Sequence, residues 1–428
     1  MKTYRNPKRD EWASLCKRPT GQFSNVRAVV TEILEAVRTR GDDALREFAL
    51  RFDGAAPTSV RVSPHVRDSL ATLVDPELVQ AQRQAIANVS AFHRSQKIVE
   101  SAIETVPGVT CFRRAVPIDR VGIYIPGGTA PLFSTLIMLA VPAIEAGVRE
   151  IVLCTPGRAE GALNPVIASV ASLLGIDEIY LVGGAQAIGA LAYGTPTIGA
   201  VNKICGPGNS FVTEAKLQVA AQGVAIDMAA GPSEVLVIAD GGADPRFVAA
   251  DLLAQAEHGP DSQVVIVTTD DSLLSRVQVE LRRQVELLPR GTIAAKALEE
   301  SFGVVVATLE EAIEFSNVYA PEHLILSVRD AEPYVPMITS AGSVFLGYMA
   351  AEALGDYASG TNHVLPTNGA ARASSGVSVD TFVRKITFQR VDGTGLQALA
   401  PTVARMARAE GLEAHAQAVL IREEVLRG

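Results

Sequence analysis

Arg120-Val121-Gly122-Ile123-Tyr124-Ile125, closed by Pro126-Gly127-Gly128, leads into an apolar helical run from about Phe133 to Ala146 and then Ile151-Val152-Leu153-Cys154. A short apolar run bounded by proline and glycine reads as a buried strand, and the longer run between two of them reads as a helix. The pattern repeats with a helix over 160–174, the strand Glu178-Ile179-Tyr180-Leu181-Val182, the loop Gly183-Gly184-Ala185 and a helix from Gln186. The strand Lys203-Ile204-Cys205, the loop Gly206-Pro207-Gly208-Asn209 and a helix over 210–221 follow. Such alternation specifies an α/β fold with a parallel sheet. After Gly231-Pro232-Ser233 a second block starts, with strands at 235–238, 264–267, 304–306, 323–326 and 343–346.

The flanks read differently. Residues 1–21 carry one short helix, with Trp12 and Leu15 on a face, ending at Pro19-Thr20-Gly21. Val26, Val29, Val30, Ile33, Leu34 and Val37 mark a helical stretch over 24–51, and a second long helix runs from Asp75 to about Val99. From about Thr381 the chain reads as helical again, over 396–409 and 413–426.

A chain of 428 residues is long enough for two or three domains. Its 48% hydrophobic and 20% charged residues are those of an ordinary soluble protein. A net charge of −9, with no basic run, argues against a nucleic-acid partner. No apolar stretch reaches membrane-spanning length, and the charged N-terminus lacks the apolar core of a signal peptide. Cys16, Cys111, Cys154 and Cys205 lack paired spacing and read as free thiols, which favours the cytoplasm. Cys205 borders a glycine loop but reads as a small apolar filler.

The chemistry concentrates in loops. Pro126-Gly127-Gly128, Gly183-Gly184-Ala185-Gln186 and Gly206-Pro207-Gly208-Asn209 each follow a strand and open a helix. That places them at the carboxyl edge of a parallel sheet, where glycine lets a phosphate approach the backbone. Any one loop is more often a bare turn; three together favour a nucleotide. Phe211 stands at the sixth position of the Gly206-x-Gly208 loop, so no G-x-G-x-x-G is formed. The absence of a P-loop disfavours an NTPase.

Gln255 and His258 lie three residues apart at the end of the apolar run 247–253, so both share one helix face before Gly259-Pro260 stops it. Of the six histidines, His65 and His93 are expected at the surface, whereas His323, His363 and His415 join His258 in unusual contexts. Gln255, His258, Asp356 and His415 together offer two nitrogens and two oxygens, a set that suits Zn²⁺ and less well Mn²⁺ or Co²⁺. Glu322 and His323 are an adjacent acid and base. Beside a metal they suggest proton transfer on a substrate held there; alone they read equally well as an exposed carboxylate and a core histidine.

The stretches 255–263, 321–324 and 355–367 closely resemble the histidinol dehydrogenase family, as do 124–128, 183–187, 206–209 and 230–235. The resemblance runs from about residue 20 to the C-terminus. It implies a homodimer of chains with two incomplete Rossmann-like domains and small N- and C-terminal helical pieces. The implied bounds are a helical arm over 1–21, a discontinuous domain of 22–123 and 235–376 carrying metal and catalytic residues, a domain of 124–234 with NAD-contacting loops, and a helical C-terminal domain over 377–428. It implies oxidation of L-histidinol through L-histidinal to L-histidine with two NAD, the last step of histidine biosynthesis. The implied zinc ligands are Gln255, His258, Asp356 and His415. His323 is the implied general base, and Glu322 the group that activates water. These ligands, Ser233, His323 and Glu410 would contact substrate; Tyr124, Gln186 and Asn209 would contact NAD. Glu410 and His415 would come from the partner subunit. His363 resembles a family position near the site without an assigned role. Ala320, where glycine is common, and the stretch 368–372 depart from the family pattern.

Three other readings remain open on residues alone. A same-fold dehydrogenase of another small polar alcohol shares every motif except the pairing of Glu410 with a substrate amine. A zinc hydrolase, or a protein that only binds metal, leaves the glycine loops or the Glu322-His323 pair unexplained.

Overall fold

The computed structural model describes residues 1–18, 26–53, 57, 59–127, 131–158, 161–228 and 231–427. Strands and helices are numbered along the chain. The first sheet runs β2 (Arg61–Val62), β7 (Glu178–Leu181), β6 (Glu150–Thr155), β5 (Arg120–Tyr124), β8 (Lys203–Cys205) and β9 (Ala225–Ile226). Its strands are parallel except β2. The second runs β1 (Lys2–Arg5), β12 (Phe302–Val305), β11 (Gln263–Thr268), β10 (Glu234–Ala239), β13 (His323–Ser327) and β14 (Ser343–Leu346), all parallel. In each sheet the strand order reverses once, between β5 and β8 and between β10 and β13, the doubly wound pattern that opens a crevice.

Every position of β10 and β11 is buried, as expected of parallel strands covered on both faces. Side chains alternate. Val121, Ile123 and Leu153 face α5 (Pro76–Arg94), α6 (Phe133–Ala146) and α7 (Pro165–Leu173), beside α4 (Pro64–Ala71). Tyr124, Val152 and Cys154 face α2 (Val26–Arg40), α3 (Asp42–Phe48), α8 (Gly184–Tyr193) and α9 (Ser210–Ala220). Gly122 sits on that second face because a Cβ there would lie 2.9 Å from Leu191 of α8. In the second sheet, Val235, Val237, Val264 and Ile266 meet α10 (Pro245–Ala256), α11 (Asp271–Val285) and α12 (Gly291–Glu299). Leu236, Ile238, Val265 and Val267 meet α1 (Arg9–Leu15) and α13 (Leu309–Tyr319).

Three expectations need correction. The N-terminal arm is not only helical: Lys2–Arg5 pairs in parallel with Phe302–Val305, and only then does α1 form. The end of the expected arm, 19–21, lies outside the described residues. Residues 26–94 pack mainly on the first sheet, and α5 also meets the 358–364 stretch of the second block. Leu34 and Val37 press against Gly189 of α8, and the boundary expected at 123–124 falls inside β5. The C-terminal piece begins with a strand: β15 (Val383–Val391) pairs antiparallel with β4 (Val109–Pro117), which also pairs with β3 (Ile103–Val106). The helices α15 (Gly393–Ala409) and α16 (Glu413–Arg427) pack on each other beyond it. Among the described residues no helix is long and apolar enough to cross a membrane.

Behind the Gly206 loop, Lys216 of α9 forms an ion pair with Asp227, both side chains almost fully buried. Lys216 Nζ donates to Gly206 O at 2.9 Å, and Asp227 Oδ2 accepts from Gly206 N–H at 2.7 Å. Breaking a buried pair by removing one partner costs about 3–5 kcal/mol, so Lys216→Met lowers the urea unfolding midpoint by a matching amount. A wild-type midpoint for that variant contradicts this account of the loop.

Candidate active site

Glu322 and His323 stand at the amino end of β13 because α13 stops just before them. Ala320 adopts a left-handed φ of 54°, and Pro321 cannot continue a helix. Val235 pairs with His323, which brings Ser233 and Glu234 to the same edge, and α10 runs back so that its last turn delivers Gln255 there. This is the amino edge of the second sheet. The glycine loops after β5, β7 and β8 lie at the carboxyl edge of the first.

His323 is the hub. Gln255 Nε2 donates to its Nδ1 at 2.7 Å. Around the same nitrogen stand Glu234 O at 3.3 Å, Glu322 Oε2 at 3.7 Å and Glu352 Oε1 at 3.9 Å. On the other side of the ring, Nε2 faces Asp356 Oδ1 at 3.4 Å. Glu322 Oε2 accepts the Glu234 backbone N–H at 2.8 Å, which fixes its carboxylate. Glu352 and Asp356 lie four residues apart on the short helix α14 (Glu352–Tyr357), and Glu352 is 1% exposed.

Burial disfavours a charged His323, yet Glu352, Glu322 and Asp356 overcome it and hold the imidazole well above its usual range. Burial drives Glu352 well above the carboxylate range. It pushes Asp356 up as well, but the close approach and charge of His323, with His363 and His258 beyond, leave Asp356 below its usual value. Gln255 Oε1, His323 Nε2, both oxygens of Glu352 and Asp356 Oδ1 are buried without a hydrogen-bond partner. Donor atoms of His323, Glu352 and Asp356 lie within 4.8 Å of one another. An orphaned buried polar atom costs about 1–3 kcal/mol, so this convergence fits a bound cation.

The segment carrying Asp356 is tied to the first sheet through α6. Pro142 lies inside that helix and has no N–H, which leaves the Met138 carbonyl without its helical partner. Asn362 Nδ2 donates to it at 2.6 Å and also approaches His93 Nε2 at 3.3 Å. His363 Nδ1 donates to Asp356 O at 2.7 Å, so its Nε2 accepts from the Thr135 hydroxyl at 3.2 Å. His93, expected at the surface, is fully buried on the face of α5 that also buries Ala85 and Val89.

The structure thus gathers Ser233, Gln255, Glu322, His323 and Asp356. His258, just past α10, is exposed and reaches the group through the charge of Asp356. Glu410, at the end of α15, and His415, in the first turn of α16, are exposed and share no hydrogen bond or ion pair with the group among the described residues. Of the expected cofactor contacts, the Tyr124 hydroxyl accepts from Gly184 N at 3.0 Å, and buried Gln186 folds against Gly184. Asn209 Oδ1 caps α9 through the N–H groups of Phe211 and Val212, both at 3.1 Å. Gly128 and Ala230, parts of expected motifs, lie outside the described residues. The sequence reading missed Glu352 and Glu234. The i, i+4 carboxylates Glu352 and Asp356 were the available signal for the first.

The family model "Histidinol dehydrogenase" matches residues 16–423. The histidinol dehydrogenase of Bacteroides thetaiotaomicron is 48% identical over 427 residues, covering 100% of both chains. That of Xanthomonas campestris pv. campestris is 52% identical over 400 residues, covering 93% of each. The crystal structure of histidinol dehydrogenase from Elizabethkingia anophelis matches with a TM-score of 0.98 and 51% identity, over 100% of this chain and 99% of that one. The chain belongs to the histidinol dehydrogenase family, oxidoreductases of histidine biosynthesis.

Proposed function

We propose that this family member is a cytoplasmic, zinc-requiring dehydrogenase that takes L-histidinol through L-histidinal to L-histidine with two NAD. The observation that carries the metal requirement is the cluster of orphaned donors at Gln255, His323, Glu352 and Asp356. In this reading Gln255, His258, Asp356 and His415 hold Zn²⁺. When bound, the ion supplies a Lewis-acid anchor for the substrate's imidazole and amino nitrogens. Gln255 suits this role because its amide nitrogen points at His323, leaving Oε1 for the ion. The crevice at β5 and β8 fits NAD, which accepts hydride in each step. There Gly206 has φ 136°, and a Cβ would lie 2.1 Å from Tyr124 O, so only glycine keeps the backbone this close. Tyr124, Gln186 and Asn209 line this crevice as its dinucleotide contacts.

His323 takes the proton released in each oxidation at Nε2, the ring nitrogen left unpartnered and facing Asp356 Oδ1 at 3.4 Å, while Nδ1 accepts from Gln255. Glu322, oriented by the Glu234 N–H, takes a proton from the water that attacks the aldehyde. Ser233 and Glu410 contact substrate, and Glu410 and His415 arrive from the partner of a homodimer. The partner assignment is supported by their exposure within one chain and by the apolar side chains bared on the same helices: Met406, Ile421 and Val425, the last 78% exposed.

The decisive assay supplies L-histidinol as sole substrate and counts NADH: two per substrate consumed support the reading, and none refutes it. Chelation abolishes this activity and Zn²⁺ or Mn²⁺ restores it; full activity in a demonstrably metal-free preparation excludes the metal site. Glu322→Gln slows histidinal oxidation by about 10²–10⁴ while sparing histidinol oxidation, the range expected for lost general-base help. Mixing inactive His323→Asn and His415→Ala proteins under subunit exchange restores activity if sites are shared, because one site of each mixed dimer then carries neither lesion. Continued inactivity after proven exchange assigns His415 to its own chain.

A further inference from the structure

Arg18, at the end of the described N-terminal arm, lies near the Glu322-His323 pair, and the reaction does not use it. Its side chain is 9% exposed and that of Glu234 only 1%. The guanidinium forks onto the Glu234 carboxylate, Nε to Oε1 at 2.9 Å and Nη2 to Oε2 at 2.8 Å. It lies 3.5 Å over the Tyr319 ring, and Nη2 also points at the carbonyl of Ala320, the left-handed residue two before Glu322, at 3.4 Å. Nη1 is held by Cys16 O at 2.9 Å. One planar cation therefore touches both segments that carry the site, 233–235 and 319–323.

The rest of the chain of contacts leads to Glu322. Glu234 Oε1 also accepts from Asn368 N–H at 2.9 Å, so the carboxylate is pinned from two directions. The backbone of Glu234 then has little freedom, and its N–H is the donor to Glu322 Oε2 at 2.8 Å. Burial raises the Glu234 carboxyl, and Arg18 is the main group opposing it. A buried ion pair is often no more stabilising than apolar side chains of equal volume, so fold stability alone does not account for this one. What a bidentate arginine adds is a fixed orientation.

We propose that Arg18 is a positioning residue that aims the Glu322 carboxylate through Glu234. This rests on the reading of Glu322 as the group that activates water in the aldehyde step. Arg18 touches no reacting atom, so its loss disturbs the step that needs Glu322 and leaves the other largely intact.

The test uses full-length Arg18→Lys, which keeps the charge but loses the fork, and Arg18→Met/Glu234→Gln, which removes both charges and leaves neither buried alone. NADH formation is followed separately from histidinol and from histidinal, with melting temperature and zinc content in parallel. Displacing a catalytic group by ~1 Å costs on the order of 10²-fold, so the variants lose roughly ten- to a hundredfold in kcat for histidinal relative to histidinol at normal zinc content. A uniform loss in both steps, or an unchanged ratio, overturns the proposal even if the melting temperature falls. Arg18→Lys decides the matter if the double variant does not fold. Glu322→Gln is the reference: if it slows both steps equally, the reading of Glu322 fails, and that outcome is distinct from a step-selective Glu322→Gln beside non-selective Arg18 variants.

Discussion

One buried backbone carbonyl helps to tie the Asp356 segment to the first sheet. Pro142 removes the N–H that would pair with Met138 O deep inside α6, and a buried carbonyl left alone costs about 1–3 kcal/mol. Asn362 supplies the missing donor. In doing so it fixes the segment that follows α14, and His363 completes the tie by bridging Asp356 O and Thr135. Asp356 belongs by packing to the second sheet but is positioned by a helix of the first. The crevice at β5 and β8 and the amino edge of β13 are therefore tied together in part by a helix defect and the amide that fills it.

Charge balance at His323 follows from the same enclosure. Three carboxylates and one imidazole share a buried space, so burial and attraction oppose each other at His323, Glu352 and Asp356. Glu352 is driven toward its neutral form and Asp356 toward its charged one, although they are one helical turn apart. The difference lies in contacts: Asp356 faces His323 Nε2 at 3.4 Å, whereas neither oxygen of Glu352 has a hydrogen bond. Two carboxylates of one short helix are thereby prepared for different roles.

Much of the fold was legible because its strands are buried on both faces. Continuous apolar runs such as 235–238 and 264–267 admit few other readings, and the glycines that close them mark the loops. The third sheet was not legible. β4 and β15 carry Arg113, Arg114, Arg384 and Lys385, so their pattern is that of a polar surface rather than a strand. His93 was misread for the opposite reason: charged neighbours hid its place on the buried face with Ala85 and Val89. Gln255 and Asp356 both approach His323, on opposite sides of its ring. Glu234 was invisible because its importance comes from tertiary proximity to Glu322 and His323, whereas Glu352 carried only its i, i+4 spacing to Asp356. Among the described residues, Glu410 and His415 share no hydrogen bond or ion pair with the site.

The pairing of Lys2–Arg5 with Phe302–Val305 also has a consequence for the newborn chain. Residues 2–5 find their partners only after some three hundred more residues have been made, and Arg18 waits for about two hundred before Glu234 follows. Until then β1 offers unpaired backbone groups and Trp12 an uncovered indole, the features that invite association with other chains. The first sheet, whose strands lie between 61 and 226, is complete earlier in synthesis. The N-terminus is thus among the last parts of the molecule to settle, and it closes over the Glu322-His323 edge once the second sheet exists.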